Sequence, residues 1–242
     1  MTTYGLIGYP LGHSFSRKFF TEKFEQEDID AQYLNFEIPS IEEFPNIIAS
    51  HPELLGLNVT IPYKQQVMQY LDELSLEAKE IGAVNVVKVG EKLKGYNSDV
   101  IGFVESIKPL LKPHHEKALI LGTGGASKAI HYGLEEKLGM ETLFVSRTSR
   151  ENMITYNDIT KDLLQDYTVI VNCSPVGMFP KVDECPALPY EAMNENHLLY
   201  DLVYNPLETL FMKKGAAQGA TVKNGLEMLH LQAIASWEFW TQ

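Results

Sequence analysis

Residues 117–139 read KALILGTGGASKAIHYGLEEKLG, and the fold turns on this stretch. An apolar run, Ala118–Leu121, enters Gly122-Thr123-Gly124-Gly125 without interruption and leaves it as an amphipathic helical pattern that stops at Gly139. Strand, glycine turn and helix in that order open a dinucleotide-binding βαβ unit. Gly122 permits the tight turn, Gly124 lets the backbone approach a pyrophosphate, and the helix N-terminus offers it N–H groups and a positive dipole. The pattern is Gly-x-Gly-Gly-x-x-x-Ala, with Ala129 as the small residue for close helix–strand packing. A glycine turn also serves plain βα connections, so the next strand matters. ETLFVSR (141–147) ends in Ser146-Arg147-Thr148, with Arg150 close behind. An acidic residue there would take the ribose 2′-hydroxyl of NAD, whereas an arginine accommodates the 2′-phosphate of NADP. NADP is therefore the expected cofactor.

Downstream, TVIVNCS (168–174) and HLLYDLVY (197–204) are near-continuous apolar strands, as in a parallel sheet covered on both faces. Upstream, KPHHEK (112–117) reads as a connector following a helix over 99–111. Before it, short β-rich runs alternate with helical patterns: YGLIG (4–8), a helix near 16–28, AQYLNFEI (31–38), a helix near 41–50, LLGLNVT (54–60) and a helix opening at Pro62. AVNVVKVG (83–90) and EKLKGYN (91–97) read as an antiparallel hairpin, which makes the first sheet mixed. The tail carries Leu226, Leu229, Ala233, Ile234, Trp237 and Trp240 at helical spacing, the stripe of one buried face. The expected architecture is two-domain α/β. Residues 1–101 form a mixed α/β substrate domain with the helix 225–242 packed back on it. Residues 102–224 form a Rossmann-like, doubly wound cofactor domain, and the active site lies in the cleft between.

The 242 residues, 45% hydrophobic, suffice for such cores. With 20 Lys and Arg against 32 Asp and Glu, a net charge of −12, a broad nucleic-acid surface is excluded. No basic leader or membrane span is visible, which points to a cytoplasmic protein. Cys173 and Cys185 are too few for a disulfide framework, and Cys173 reads as a small packed residue rather than a nucleophile. Seven histidines include no metal-spaced cluster, so no metal is expected. Met178, Met193, Met212 and Met228 read as packing.

Three polar segments of the first half fall where strands give way to loops: Gly8 to Ser16 (GYPLGHSFS), Asn58-Val59-Thr60-Ile61-Pro62-Tyr63-Lys64, and Gly95-Tyr96-Asn97-Ser98-Asp99. Strand ends are where ligands bind in such sheets, although Ser14, Ser16, Thr60 and Asp99 would each serve equally as helix caps. Joined by Gly82-Ala83-Val84-Asn85, they resemble the substrate-domain signature of the shikimate dehydrogenases. The resemblance continues through the glycine turn, Ser146-Arg147-Thr148, Asn172 to Met178 (NCSPVGM), Asp201 to Pro206 (DLVYNP), and Gly225-Leu226-Glu227-Met228-Leu229 with Gln232. It spans residues 8–232 in family order.

The resemblance implies reversible reduction of 3-dehydroshikimate to shikimate with NADPH, on the route to chorismate and aromatic amino acids; whether the chain is a monomer or a homodimer stays open. It implies that Ser14 and Ser16, with Thr60 and Tyr204, hold the substrate carboxylate, and that Lys64, Asn85, Asp99 and Gln232 hold the ring hydroxyls beside Asn58. Gly122, Thr123, Gly124, Gly125, Ala126, Ser146, Arg147, Thr148, Arg150, Leu202 and Gly225 would line the cofactor site. Alcohol oxidation must also remove the hydroxyl proton, and Lys64 and Asp99 are the candidate catalytic pair. Whether Lys64 acts as a neutral base or a cation stays open. The chain departs from common family usage in having Arg17 where a proline often stands and Ser146 where an asparagine does. Two other functions fit the same motifs: a quinate/shikimate-type paralogue of altered substrate or cofactor preference, and a non-catalytic nucleotide-sensing module.

Overall fold

The computed structural model describes residues 1–12 and 15–242, so the candidate Ser14 lies outside the described residues, as does His13. The chain divides into two compact units, Met1–Ser98 with Gln232–Gln242, and Asp99–Leu231.

The first unit runs β1 (Thr2–Gly8), α1 (Phe15–Gln26), β2 (Ala31–Glu37), α2 (Phe44–Ser50), β3 (Leu54–Val59), β4 (Glu73–Leu74), α3 (Leu76–Ile81), β5 (Val86–Lys88) and β6 (Lys94–Tyr96). Its sheet has the order β2-β1-β3-β5-β6-β4. The β1 strand pairs in parallel with β2 and β3, while β5 runs antiparallel to both β3 and β6. The expected hairpin and mixed sheet are both present. Because successive strand side chains face opposite ways, Ile7, Leu57 and Val59 join Phe44 in one core, and Tyr4 and Leu6 join Phe20, Phe24 and Tyr33 in the other.

One expectation fails in this unit. No helix opens at Pro62; the chain makes a turn closed by Tyr63 N–H donating to Thr60 C=O at 2.9 Å, and only a short 3₁₀ turn follows at Gln66–Tyr70. Tyr63 itself is the reason: its buried side chain donates to Ile38 C=O at 2.6 Å, drawing the segment onto the sheet instead of into a helix.

The second unit runs α4 (Asp99–Ile107), β7 (Lys117–Leu121), α5 (Gly125–Tyr132), β8 (Glu141–Ser146), β9 (Met153–Thr155), α6 (Lys161–Asp166), β10 (Val169–Asn172), β11 (Leu198–Asp201), α7 (Leu210–Ala216), β12 (Thr221–Lys223) and α8 (Leu226–Thr241), the last continuing into the first unit at Gln232. The sheet order is β12-β11-β10-β7-β8-β9, every pairing parallel. This is the doubly wound order, reversing between β7 and β10, and the carboxyl ends of the strands at that reversal form a natural ligand crevice. The helix after the glycine turn extends by a π-wound turn, Gly133–Lys137, and stops at left-handed Gly139.

Two readings need correction. Ile234 in the tail is 46% exposed; Ala233 and Trp240 of the expected stripe are buried, and Met228, Gln232, Ala235 and Ser236 are buried with them. An apolar stripe read from spacing alone cannot register that Gln232 and Ser236 are buried because they are hydrogen-bonded. Met178 is also 46% exposed rather than packed, since it lies in the loop after β10, where Gly177 turns the backbone.

Candidate active site

In the first unit, the candidate residues converge on a buried polar network. β3 ends at Asn58 and Val59, with Thr60 following, and Thr60 N–H donates to Ile7 C=O at 2.9 Å beside the end of β1. Lys64 is tied to the next motif, because its C=O accepts from Val84 N–H at 2.7 Å. Asn85 is held by its backbone on both sides, donating to Tyr96 C=O at 3.0 Å and accepting from Val59 N–H at 2.8 Å. Asn58 Oδ1 accepts from the Tyr33 hydroxyl at 2.7 Å, and Asn58 Nδ2 donates to Ser236 Oγ at 2.9 Å. Ser98 N–H donates to Asn85 Oδ1 at 2.7 Å, Asn85 Nδ2 donates to Ser98 Oγ at 3.0 Å, and Ser98 Oγ lies 3.3 Å from Gln232 Oε1. Burial pushes the Tyr33 hydroxyl well above the usual phenol range, opposed by a side-chain hydrogen bond with Ser16. Ser16, Asn58, Asn85 and Gln232 are thus linked through Tyr33, Ser98 and Ser236.

In the second unit, Gly122 has φ +108°, a conformation that strains any other residue, and it packs beside the Cys173 and Ser174 backbone of the loop after β10. Gly124 begins α5 as an extended N-cap, and a methyl group on it would meet, among the described residues, nothing within 4 Å beyond its chain neighbours. Space over a helix N-terminus, with its unpaired N–H groups, suits an anionic group. Ser146 is buried, and its Oγ accepts from Thr148 N–H at 3.3 Å, turning the chain so that Arg147, Thr148 and Arg150 stand exposed. Leu202 and Gly225 meet: Gly225 N–H donates to Val203 C=O at 3.2 Å, and a methyl group on Gly225 would lie 2.2 Å from Leu202 C=O.

Beneath these loops lies Asp201, fully buried at the end of β11. Its carboxylate accepts from Thr209 Oγ1 at 2.6 Å, Val203 N–H at 3.0 Å and Asn172 Nδ2 at 3.0 Å, so one side chain ties the loops after β10 and β11 to the start of α7. Burial pushes it up to about 6, against the pull of those three donors. Cys173 is partly buried and its thiol is likewise pushed up by burial, which disfavours the thiolate a nucleophile needs.

Residues 6–87 match the shikimate dehydrogenase substrate binding domain. A shikimate dehydrogenase (NADP(+)) of Methanosphaera stadtmanae is 35% identical, over 98% of this chain and 90% of the relative. One of Carboxydothermus hydrogenoformans is 36% identical with the same two coverages. The chain belongs to the shikimate dehydrogenase family. Among solved structures, the Thermus thermophilus shikimate 5-dehydrogenase in complex with NADP(H) and shikimate aligns with a TM-score of 0.87 at 31% identity, covering 100% of this chain and 94% of that one.

The structure brings together, within the first unit, four of the residues singled out by the shikimate dehydrogenase motifs, and within the second it brings Leu202 against Gly225. It also shows residues the motif reading passed over as contributors: Tyr33, Ser98, Ser236, Asp201, Asn172 and Thr209. Ser98, Asn172 and Asp201 stand inside quoted motifs, so a signal was available. Tyr33 and Ser236 sit in ordinary strand and helix sequence, and nothing local marks them.

Proposed function

We propose that this chain catalyses the reversible, NADPH-dependent reduction of 3-dehydroshikimate to shikimate, a step toward chorismate and the aromatic amino acids. The observation that carries this is the near full-length likeness to NADP-dependent shikimate dehydrogenases. The second unit fits NADP: open space over Gly124 at the N-terminus of α5, a close backbone approach at Leu202 and Gly225, and Arg147 exposed at the end of β8. Gly122, Thr123, Gly124, Gly125 and Ala126 would hold the pyrophosphate, Arg147 with Ser146, Thr148 and Arg150 the 2′-phosphate, and Leu202 and Gly225 the nicotinamide end.

When bound, the nicotinamide supplies the hydride chemistry. This chain's residues then have three tasks. Ser14, Ser16 and Thr60 hold the substrate carboxylate through neutral hydroxyls, with Tyr204 as a further contact. Asn85 and Gln232 hold ring hydroxyls, and an analogue lacking one is rejected because a buried partner is left unpaired. Lys64 and Asp99 manage the proton of the reacting hydroxyl, which leaves as the carbonyl forms. Among the described residues no helix is long and apolar enough to cross a membrane, and a cytoplasmic setting fits this chemistry.

Absorbance at 340 nm, followed with shikimate or quinate and with NADP or NAD, tests the reading. NADPH formation with shikimate is expected. Turnover of quinate alone would transfer the chain to the paralogous activity, and no turnover of either would sink the enzymatic reading.

A further inference from the structure

Counting protons in the first unit's network gives Ser98 a role. Asn85 Oδ1 faces Ser98 N–H at 2.7 Å, and a backbone N–H can only donate, so the orientation of the Asn85 amide is fixed. Asn85 Nδ2 then donates to Ser98 Oγ at 3.0 Å. Ser236 Oγ gives its own proton to Gln232 C=O at 2.7 Å, because a carbonyl can only accept, and it receives one from Asn58 Nδ2 at 2.9 Å. The Ser98 hydroxyl therefore has a single proton to give. Ser236 Oγ at 3.2 Å and Gln232 Oε1 at 3.3 Å are within its reach, whereas Asn85 Oδ1, at 3.4 Å, is already served by the Ser98 backbone. Ser98 and Ser236 are both fully buried, so no water replaces either contact without cost.

Asn58 is occupied at both ends. Its Oδ1 takes the Tyr33 proton at 2.7 Å, and its Nδ2 serves Ser236 and, at 3.4 Å, Asn85 C=O. We propose that Ser98 is a positioning residue of the substrate site: its hydroxyl, ordered by Asn85, donates toward Gln232 Oε1 and so sets the Gln232 amide with its NH₂ end for a substrate hydroxyl oxygen, while Asn58 and Ser236 support this hub and do not contact substrate. The inference rests on the reading of Asn85 and Gln232 as substrate-holding residues.

The experiment is a double-mutant cycle on the full chain with Ser98→Ala, Gln232→Ala and the pair, measuring KM for shikimate, kcat, the NADP dissociation constant and Tm. Ser98→Ala is expected to raise the shikimate KM by about tenfold or more, with NADP binding unchanged. If Ser98 acts through Gln232, the double variant is little worse than Gln232→Ala alone. Ser98→Thr keeps the hydroxyl and is expected to stay within about threefold of wild type, whereas Ser98→Cys, which keeps the volume but donates weakly, is expected to be impaired as Ser98→Ala is, an outcome a purely space-filling role would not give. Effects that multiply, or a Thr variant as impaired as the Ala variant, overturn the proposal. A Gln232→Ala enzyme with normal shikimate KM would instead overturn the substrate-site reading beneath it, and the proposal with it. Should Ser98→Ala not fold, Ser98→Cys, nearly the same size and a weaker donor, enters the same cycle.

Discussion

Arg147 stands exposed just past the end of β8, where a guanidinium can give charge-assisted hydrogen bonds to a phosphate that NAD lacks. Arg147→Ala is expected to weaken NADP by about 10- to 100-fold and NAD by far less; equal losses in fluorescence titrations with both cofactors would reject the assignment. Lys64 is proposed for the reacting centre rather than for the cofactor. Lys64→Ala is expected to lower kcat by about 10²–10⁴-fold with a smaller change in shikimate KM, because the residue contributes mainly where charge develops on the reacting oxygen. Steady-state kinetics would contradict this if KM alone rose. Both proposed roles were readable from sequence, since each residue sits at fixed spacing in a motif whose chemistry needs that side chain. The contribution of Tyr33 was not. A tyrosine in a β-rich run signals packing, and only the fold reveals that its hydroxyl meets Asn58 from a strand two places across the sheet.

Elements show the same division. The glycine turn, the hairpin of β5 and β6 and the tail helix were legible because each has a strong local signature: conformationally special residues, alternation, or helical periodicity. Strands β9 and β12, three residues each, and the short helices α6 and α7 were not, because so few residues carry no period; they form because neighbouring parallel strands give them partners. Helix α8 also shows what a signature cannot give. Trp240 covers Gly56, where any side chain would collide with the indole, stacks on Tyr4 at 4.9 Å and donates from Nε1 to Val87 C=O at 3.1 Å. Trp240→Ala is expected to cost roughly 3–5 kcal/mol, since it empties a large buried site and removes the indole hydrogen bond. Urea unfolding would show this as a lower midpoint with an unchanged slope, and a loss under about 1 kcal/mol would mean the helix end is peripheral. At the other end of the helix, Gly225→Ala drives a methyl into Leu202 C=O. Weakened NADP binding is expected, measured by titration, and unaltered affinity would remove Gly225 from the cofactor site.

At the scale of the whole molecule, two electrostatic contributions make stability fall as pH rises above about 4, and they separate by salt. The first is the acidic excess: at a net charge of −12, ionised surface carboxylates repel one another, and molar salt screens them over about 3 Å. The second is Asp201. Folding raises its carboxyl to about 6, from about 4 in an unfolded chain, so the folded state favours the protonated form. Its contribution is complete below the unfolded value and is lost as pH climbs through the folded one, a loss of roughly 3 kcal/mol by pH 7.5 that screening does not reach. Asn at this position can still accept from Val203 N–H and can donate to the Thr209 hydroxyl oxygen, so Asp201→Asn keeps much of the network while removing the titration. In 1 M salt, wild-type stability is therefore expected to fall between pH 4 and pH 7.5 by about 2–3 kcal/mol more than that of Asp201→Asn. In low salt both proteins should acquire the same additional slope from their shared surface. If the two proteins instead run parallel in 1 M salt, Asp201 ionises without penalty, and the three donors around it, rather than its burial, govern the charge beneath the loops after β10 and β11.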